Sequence, residues 1–268
     1  AEDPGVAVGL APHSVRAVPG GWLAAAGAHA RQTGRVLHVH ACEQPAELAA
    51  CRAEHGVEPV ALLERLGVLS PTTTLVHATW LEDGAAARIA AADALVCACA
   101  TTERDLGDGF LPADDLLGRG VRLCRGSDSH VRIDPWEDLR LIEYHERLQR
   151  VRRNVLAAHH PRWGGAPGGD RHTAAVLWPI AAAHGAQALG MEGGALAPGA
   201  SADFVSLDLS EPTLAGAQAD TLLAELVFSA DARAVRDVFV AGQRVVAQGR
   251  HPERARIVAA ARRVMARL

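Results

Sequence analysis

The chain has 268 residues, 49% of them hydrophobic, and a formal net charge of -4. That length suffices for a large core in one or two domains, and its interspersed acids and bases exclude the basic footprint of a nucleic-acid or anionic-membrane binder. No apolar run is long enough to span a bilayer, no signal peptide opens the sequence, and its cysteines (Cys42, Cys51, Cys97, Cys99, Cys124) are odd in number and lack CxxC spacing, so the expected location is a reducing cytoplasm.

In chain order, Val6 to Leu10 reads as a strand and Pro19 to Thr33 as a helix with Pro at its start and Gly34 at its end. Val36 to Ala41 is the next strand, then helices over Pro45 to His55 and Val60 to Leu66. Strands at Thr74 to Ala78, Leu95 to Cys99 and Val121 to Cys124 are separated by an Ala-rich helix from Asp83 to Ala92, a polar loop from Thr101 to Gly109 and a short helix at Leu116-Leu117. This alternation predicts right-handed βαβ crossovers and a parallel sheet. A long helix starts at Asp134-Pro135-Trp136-Glu137, where Asp134 is the N-cap and Pro135 suits the first turn. A Gly/Pro-rich loop from His159 to Asp170 precedes a helix from Thr173 to Leu189, interrupted at Pro179 and Gly185. Short strands follow at Ala202 to Leu207 and within Val235 to Val246, with a hairpin turn at Ala241-Gly242-Gln243, and a basic amphipathic helix from Pro252 to Leu268 ends the chain.

Polar clusters stand at the ends of these strands. His40 and Glu43 follow the second, His77 the third, and Asp128 the last of the first set. An imidazole at a strand end suits a zinc ion, and a carboxylate three residues later can move protons in the same cavity. Taken singly, each has an ordinary reading: His77 as a hydrogen-bonded core histidine, Glu43 as a helix cap, Asp128 as a turn residue. Together they fit the C-terminal rim of an α/β barrel. His13 and Arg16 follow the first strand, where a guanidinium could fork onto a substrate carboxylate or simply face solvent. The sequence contains no lysine, which excludes a Schiff-base lysine and a carbamylated lysine bridging two metals.

The segments His38 to Gln44 (His-x-His-x-x-Glu-Gln), Val76 to Thr79 (Val-His-Ala-Thr), Thr101 to Gly109 and Gly126 to Pro135 resemble the amidohydrolase superfamily, and within it the formimidoylglutamate deiminases of histidine degradation. The segments Ala11 to Arg16 and Leu139 to Tyr144 favour that subgroup, and Gly194 to Phe204 is similar to the superfamily's returning sandwich strands. The resemblance implies His40 and Asp128 as ligands of one zinc ion, Glu43, His77 and Asp128 as catalytic groups, and His13 and Arg16 as substrate-binding groups. Trp80 stands where the family pattern has a histidine, and Ala100 and Arg104-Asp105 also depart from it.

A full (β/α)₈ barrel takes roughly 250 residues, and the family draws two further zinc ligands from a first-strand His-x-His. The expected fold is therefore α/β: an incomplete TIM-like (β/α) barrel, later strands only, followed by helices and a small β-sandwich segment. Its expected parts are a partial barrel with trailing helices (1–190), a sandwich-forming segment (191–250) and a C-terminal helix (251–268). The expected reaction is zinc-dependent hydrolysis of N-formimidoyl-L-glutamate to N-formyl-L-glutamate and ammonia, the chain being a truncated form. A guanine-type deaminase, or an inactive half-barrel serving as an interaction module, are the alternatives. The expected partners are a small-molecule substrate and a second copy of the chain in a homodimer, with no nucleic acid and no membrane.

Overall fold

The computed structural model describes residues 6–160 and 172–267. The chain divides into two compact units, Ala1–Gly194 and Ala195–Leu268. In the first unit, strands β1 (Leu37–Ala41), β2 (Thr73–His77), β3 (Leu95–Ala98) and β4 (Arg122–Arg125) form one sheet in the order β1-β2-β3-β4. Every pairing is parallel, with Ala41 opposite His77 and Cys97 opposite Cys124. The order follows the chain without reversal, so each strand end adds to one continuous rim. The strand β3, Leu-Val-Cys-Ala, is apolar and buried at all four residues, as expected of a parallel strand covered on both faces.

The helices between strands begin and end for local reasons. Helix α1 (Gly20–Thr33) is closed by Gly34 at φ 66°, and α2 (Pro45–His55) by Gly56 at φ 72°. Both positions need the left-handed conformation that glycine adopts without a Cβ penalty. Helix α3 (Pro59–Arg65) is capped by Glu58, whose carboxylate accepts from the amides of Val60 and Ala61. Helices α4 (Ala85–Ala91), α5 (Ala100–Leu106) and α6 (Ala113–Gly118) follow. The long α7 (Pro135–Arg150) starts at Asp134, whose Oδ1 accepts from the amides of Trp136 at 3.0 Å and Glu137 at 3.2 Å.

Three sequence expectations are corrected. Val6 to Leu10 forms no strand; Leu10 and Ser14 make isolated parallel bridges to Leu37 and His40. Pro12 lies between them without an N–H to donate, so the ladder cannot run through. Thr101 to Leu106 belongs to a helix rather than a loop, because Glu103 folds back to accept from the Cys99 amide and Gly107 ends the turn at φ 70°. The segment from Thr173 to Leu189 breaks at Ala182, into α8 (Thr173–Ala181) and α9 (Ala183–Ala188), while Pro179 lies inside α8 and Gly185 inside α9. The Gly/Pro-rich segment falls outside the described residues from 161 onward. Helix α9 is tied to the sheet by His38 Nε2–H donating to the Ala188 carbonyl at 2.7 Å and by His184 Nδ1–H donating to the Leu123 carbonyl at 2.9 Å.

The second unit is a three-stranded antiparallel sheet in the order β5-β6-β7, with β5 at Phe204–Leu207, β6 at Val235–Val240 and β7 at Gln243–Val246. Phe204 and Phe239 are register partners and stack with centroids 4.4 Å apart. The hairpin turns at Ala241 (φ 48°) and Gly242 (φ 76°), positive at both positions as a primed turn requires. Helix α10 (Leu222–Phe228), which the sequence reading did not foresee, buries Leu226 and Val227. Helix α11 (Arg254–Met265) has no buried residue. Among the described residues, no helix is long and apolar enough to cross a membrane.

Candidate active site

The C-terminal ends of β1 to β4 carry the polar groups. His77 closes β2 and is 1% exposed. Its Nδ1 lies 3.3 Å from Glu103 Oε1 in α5, and its Nε2 lies 3.5 Å from Asp128 Oδ2 and 3.8 Å from Glu43 Oε1. One imidazole thus gathers carboxylates from three different strand ends. Burial alone would lower the pKa of His77, but the hydrogen bond to Glu103 and the charges of Glu103, Glu43 and Asp128 outweigh it and raise the pKa. Burial raises the pKa of Glu103 in turn, against the opposing pull of His77 and the Cys99 amide.

His40 joins this cluster by ring contact. It stacks on His77 with centroids 5.5 Å apart and tilts against His13 at 4.8 Å. Its Nδ1 lies 2.7 Å from the His13 carbonyl, which can only accept. The proton therefore sits on Nδ1, leaving the Nε2 lone pair of the neutral ring bare for a metal. The irregular segment from Leu10 to Ser14 supplies that carbonyl, so the same break in the ladder that costs a strand fixes the tautomer of His40.

Arg16 donates to Glu43 Oε2 at 2.5 Å and lies 3.9 Å from Glu47 Oε1. Glu47 also accepts from the Glu43 amide at 2.8 Å, while its own Oε1 is buried without a hydrogen-bond partner. Burial would raise the Glu43 pKa, but the Arg16 hydrogen bond and nearby His77 hold it below its ordinary value. The indole of Trp80 donates to the Asp108 carbonyl, and Gln44 Nε2 donates to Asp108 Oδ1 at 2.7 Å. Trp80 thus pins the loop after α5 to the rim.

The backbone here is strained. Cys42, His77, Ala78, Asp128 and His130 all have positive φ between 45° and 76° without being glycine. Such conformations cost on the order of 1–3 kcal/mol each and gather where function over-determines geometry.

All six site residues expected from sequence lie at this rim. The convergent donor trio differs from the expected ligand pair, however. Among the described residues it is His77, Cys99 and Asp128, whose ligand atoms all lie within 4.8 Å of one another. His40 stands one ring away, on His77. An N, S and O donor set at a strained strand-end cluster, beside an imidazole with a free Nε2, fits a zinc ion. Sequence reading passed over Glu47 and Cys99 and noted Glu103 only as part of a polar loop. The signal for Glu103 was its spacing, four residues beyond Cys99, which lets it reach back to that amide once the segment is helical.

A model of the amidohydrolase family matches residues 1–245. The chain is 40% identical over 250 residues to a formimidoylglutamate deiminase of Pseudomonas aeruginosa, covering 93% of this chain and 53% of that protein. It is 31% identical over 209 residues to a 5-methylthioadenosine/S-adenosylhomocysteine deaminase of Nitratidesulfovibrio vulgaris, covering 78% of this chain and 44% of that protein. Among solved structures, an adenosine deaminase from Xanthomonas campestris with bound zinc superposes with a TM-score of 0.87 at 26% identity, covering 99% of this chain and 58% of that one. An amidohydrolase from Brucella melitensis gives 0.81 at 33% identity, covering 97% and 55%. The chain spans about half the length of the curated relatives it matches.

Proposed function

Because this chain belongs to the amidohydrolase family, we propose that it supplies the proton-transfer and substrate-anchoring part of a zinc-dependent deaminase acting on N-formimidoyl-L-glutamate. The reaction adds water to the amidine carbon, breaks its bond to the terminal nitrogen, and yields N-formyl-L-glutamate and ammonia. The sequential parallel sheet supports the reading of these strands as an arc of a (β/α) barrel, with the antiparallel sheet of the second unit as part of a sandwich.

His40 Nε2 and Asp128 would hold the ion, which when bound supplies Lewis acidity and makes an attacking water available near neutral pH. Asp128 accepts the water's proton, and His77, 3.5 Å away, orients the water and shares that proton. Glu43 lies 3.8 Å from the same His77 nitrogen and returns a proton to the departing amine.

The observation that carries the substrate assignment is Arg16, a guanidinium at the rim, 2.5 Å from Glu43. A purine ring offers it no carboxylate; a glutamate moiety does. The test is calorimetry of N-formyl-L-glutamate with the zinc-loaded protein and its Arg16→Ala variant. Loss of one charge-assisted contact of about 1.5–3 kcal/mol weakens binding by at least about tenfold, with zinc content unchanged. Unchanged binding in the variant, or preferential binding of adenosine or guanine, overturns the assignment.

A further inference from the structure

We propose that His77, Cys99 and Asp128 form a second, sulfur-containing metal position that selects soft divalent cations and, when filled, blocks proton transfer. It deepens the reading above, because two of its three donors are the groups assigned there to handle protons.

Cys99 stands at the end of β3, between the strand ends that bear His77 and Asp128, and is 2% exposed. The three donor atoms lie within 4.8 Å of one another. In a tetrahedral site with a metal–nitrogen bond of about 2.0 Å and a metal–sulfur bond of about 2.3 Å, donors sit about 3.5 Å apart, so the trio closes with a shift of about an ångström. His77 Nδ1 is engaged by Glu103, which leaves Nε2 facing Asp128. The fourth position is open, since the Asp128 side chain is 32% exposed and gives an entry path.

Independent of that convergence, carboxylates gather around His77. Glu43, Glu103 and Asp128 all face His77, and Arg16 pairs with Glu43. Glu103 is 1% exposed, and its Oε2 is buried with no hydrogen-bond partner. A buried carboxylate left short of a donor marks a place that gains from a cation. The thiol decides which cation: sulfur prefers thiophilic ions over hard ones such as magnesium or calcium. On binding, the Cys99 S–H bond breaks, a metal–sulfur bond forms, and the proton leaves to solvent. His40 is not part of this set, so the two positions share Asp128 and exclude each other.

The test loads the purified chain with ¹¹³Cd²⁺ and reads its NMR shift, then repeats the loading with Co²⁺ and reads the near-ultraviolet thiolate charge-transfer band. We expect a resonance in the range of a single sulfur ligand, and a cobalt band that survives in Cys97→Ser and Cys124→Ser but vanishes in Cys99→Ser. The wild-type cadmium shift stands on its own should the Cys99 variant fold poorly. Metal bound through nitrogen and oxygen alone overturns the sulfur position and leaves the function proposed above intact. No metal bound at all overturns both.

Discussion

His77 is where the chemistry of this chain concentrates. Its pKa is raised because three carboxylates outweigh the cost of burial. Glu103 is the nearest of them, so Glu103→Gln removes its charge while keeping an acceptor oxygen, and the His77 pKa falls. NMR titration of the imidazole nitrogens in the metal-free protein checks the direction; an unchanged or higher pKa would mean that Asp128 and Glu43 set it instead. His40 makes a second case. With Nδ1–H fixed on the His13 carbonyl, its Nε2 is the bare donor, so His40→Ala lowers zinc affinity by a factor of ten or more, on the order expected for losing a ligand, measured by competition with a chromophoric chelator. These residues were legible in sequence because each follows an apolar run and belongs to a motif. Glu47 was not: its role comes from lying one helical turn beyond Glu43 and beneath Arg16, and nothing in its neighbourhood separates it from an ordinary surface glutamate of α2.

At the scale of elements, α7 shows how buried polar groups hold the unit together. Glu143 is fully buried and accepts from the amides of Val155 and Leu156, both at 3.0 Å, and from Arg147 Nε at 2.6 Å. Glu143→Ala strands two buried amides and an arginine, and we expect it to cost about 3–5 kcal/mol in urea unfolding. Two residues on, His145 is 6% exposed, packs on Phe110 with centroids 4.7 Å apart, and has its pKa pushed from 6.5 to about 4, first by burial and then by Arg104. The folded state keeps this ring neutral where the unfolded chain protonates it. Its contribution to stability is present above pH 6.5 and is lost as the pH falls towards about 4, at a slope of up to about 1.4 kcal/mol per pH unit. His145→Leu removes that slope, which unfolding curves at several acidic pH values measure directly. Helix α7 was readable from its cap and apolar stripe. Helix α5 was not, because threonines at its start read as loop; their burial and the Glu103 back-bond are tertiary facts.

For the first unit as a whole, the sheet edges matter. The outer side of β1 is bridged at two points by the segment from Leu10 to Ser14, while β4 pairs with no other strand than β3 among the described residues. The free side of β4 is met instead by α9, whose His184 donates to the Leu123 carbonyl at 2.9 Å. The parallel order was legible from alternation and strand spacing alone. The closure of a barrel was not, because it depends on which surfaces meet across long separations rather than on any local pattern.

The five cysteines are all free and all buried. An alkylating reagent therefore meets no thiol on the intact surface and five in the opened chain. Timed modification followed by mass spectrometry converts each sulfur into a clock for its own neighbourhood. Cys51 in α2 and Cys124 in β4 would report helix release and sheet opening separately, with no label to engineer.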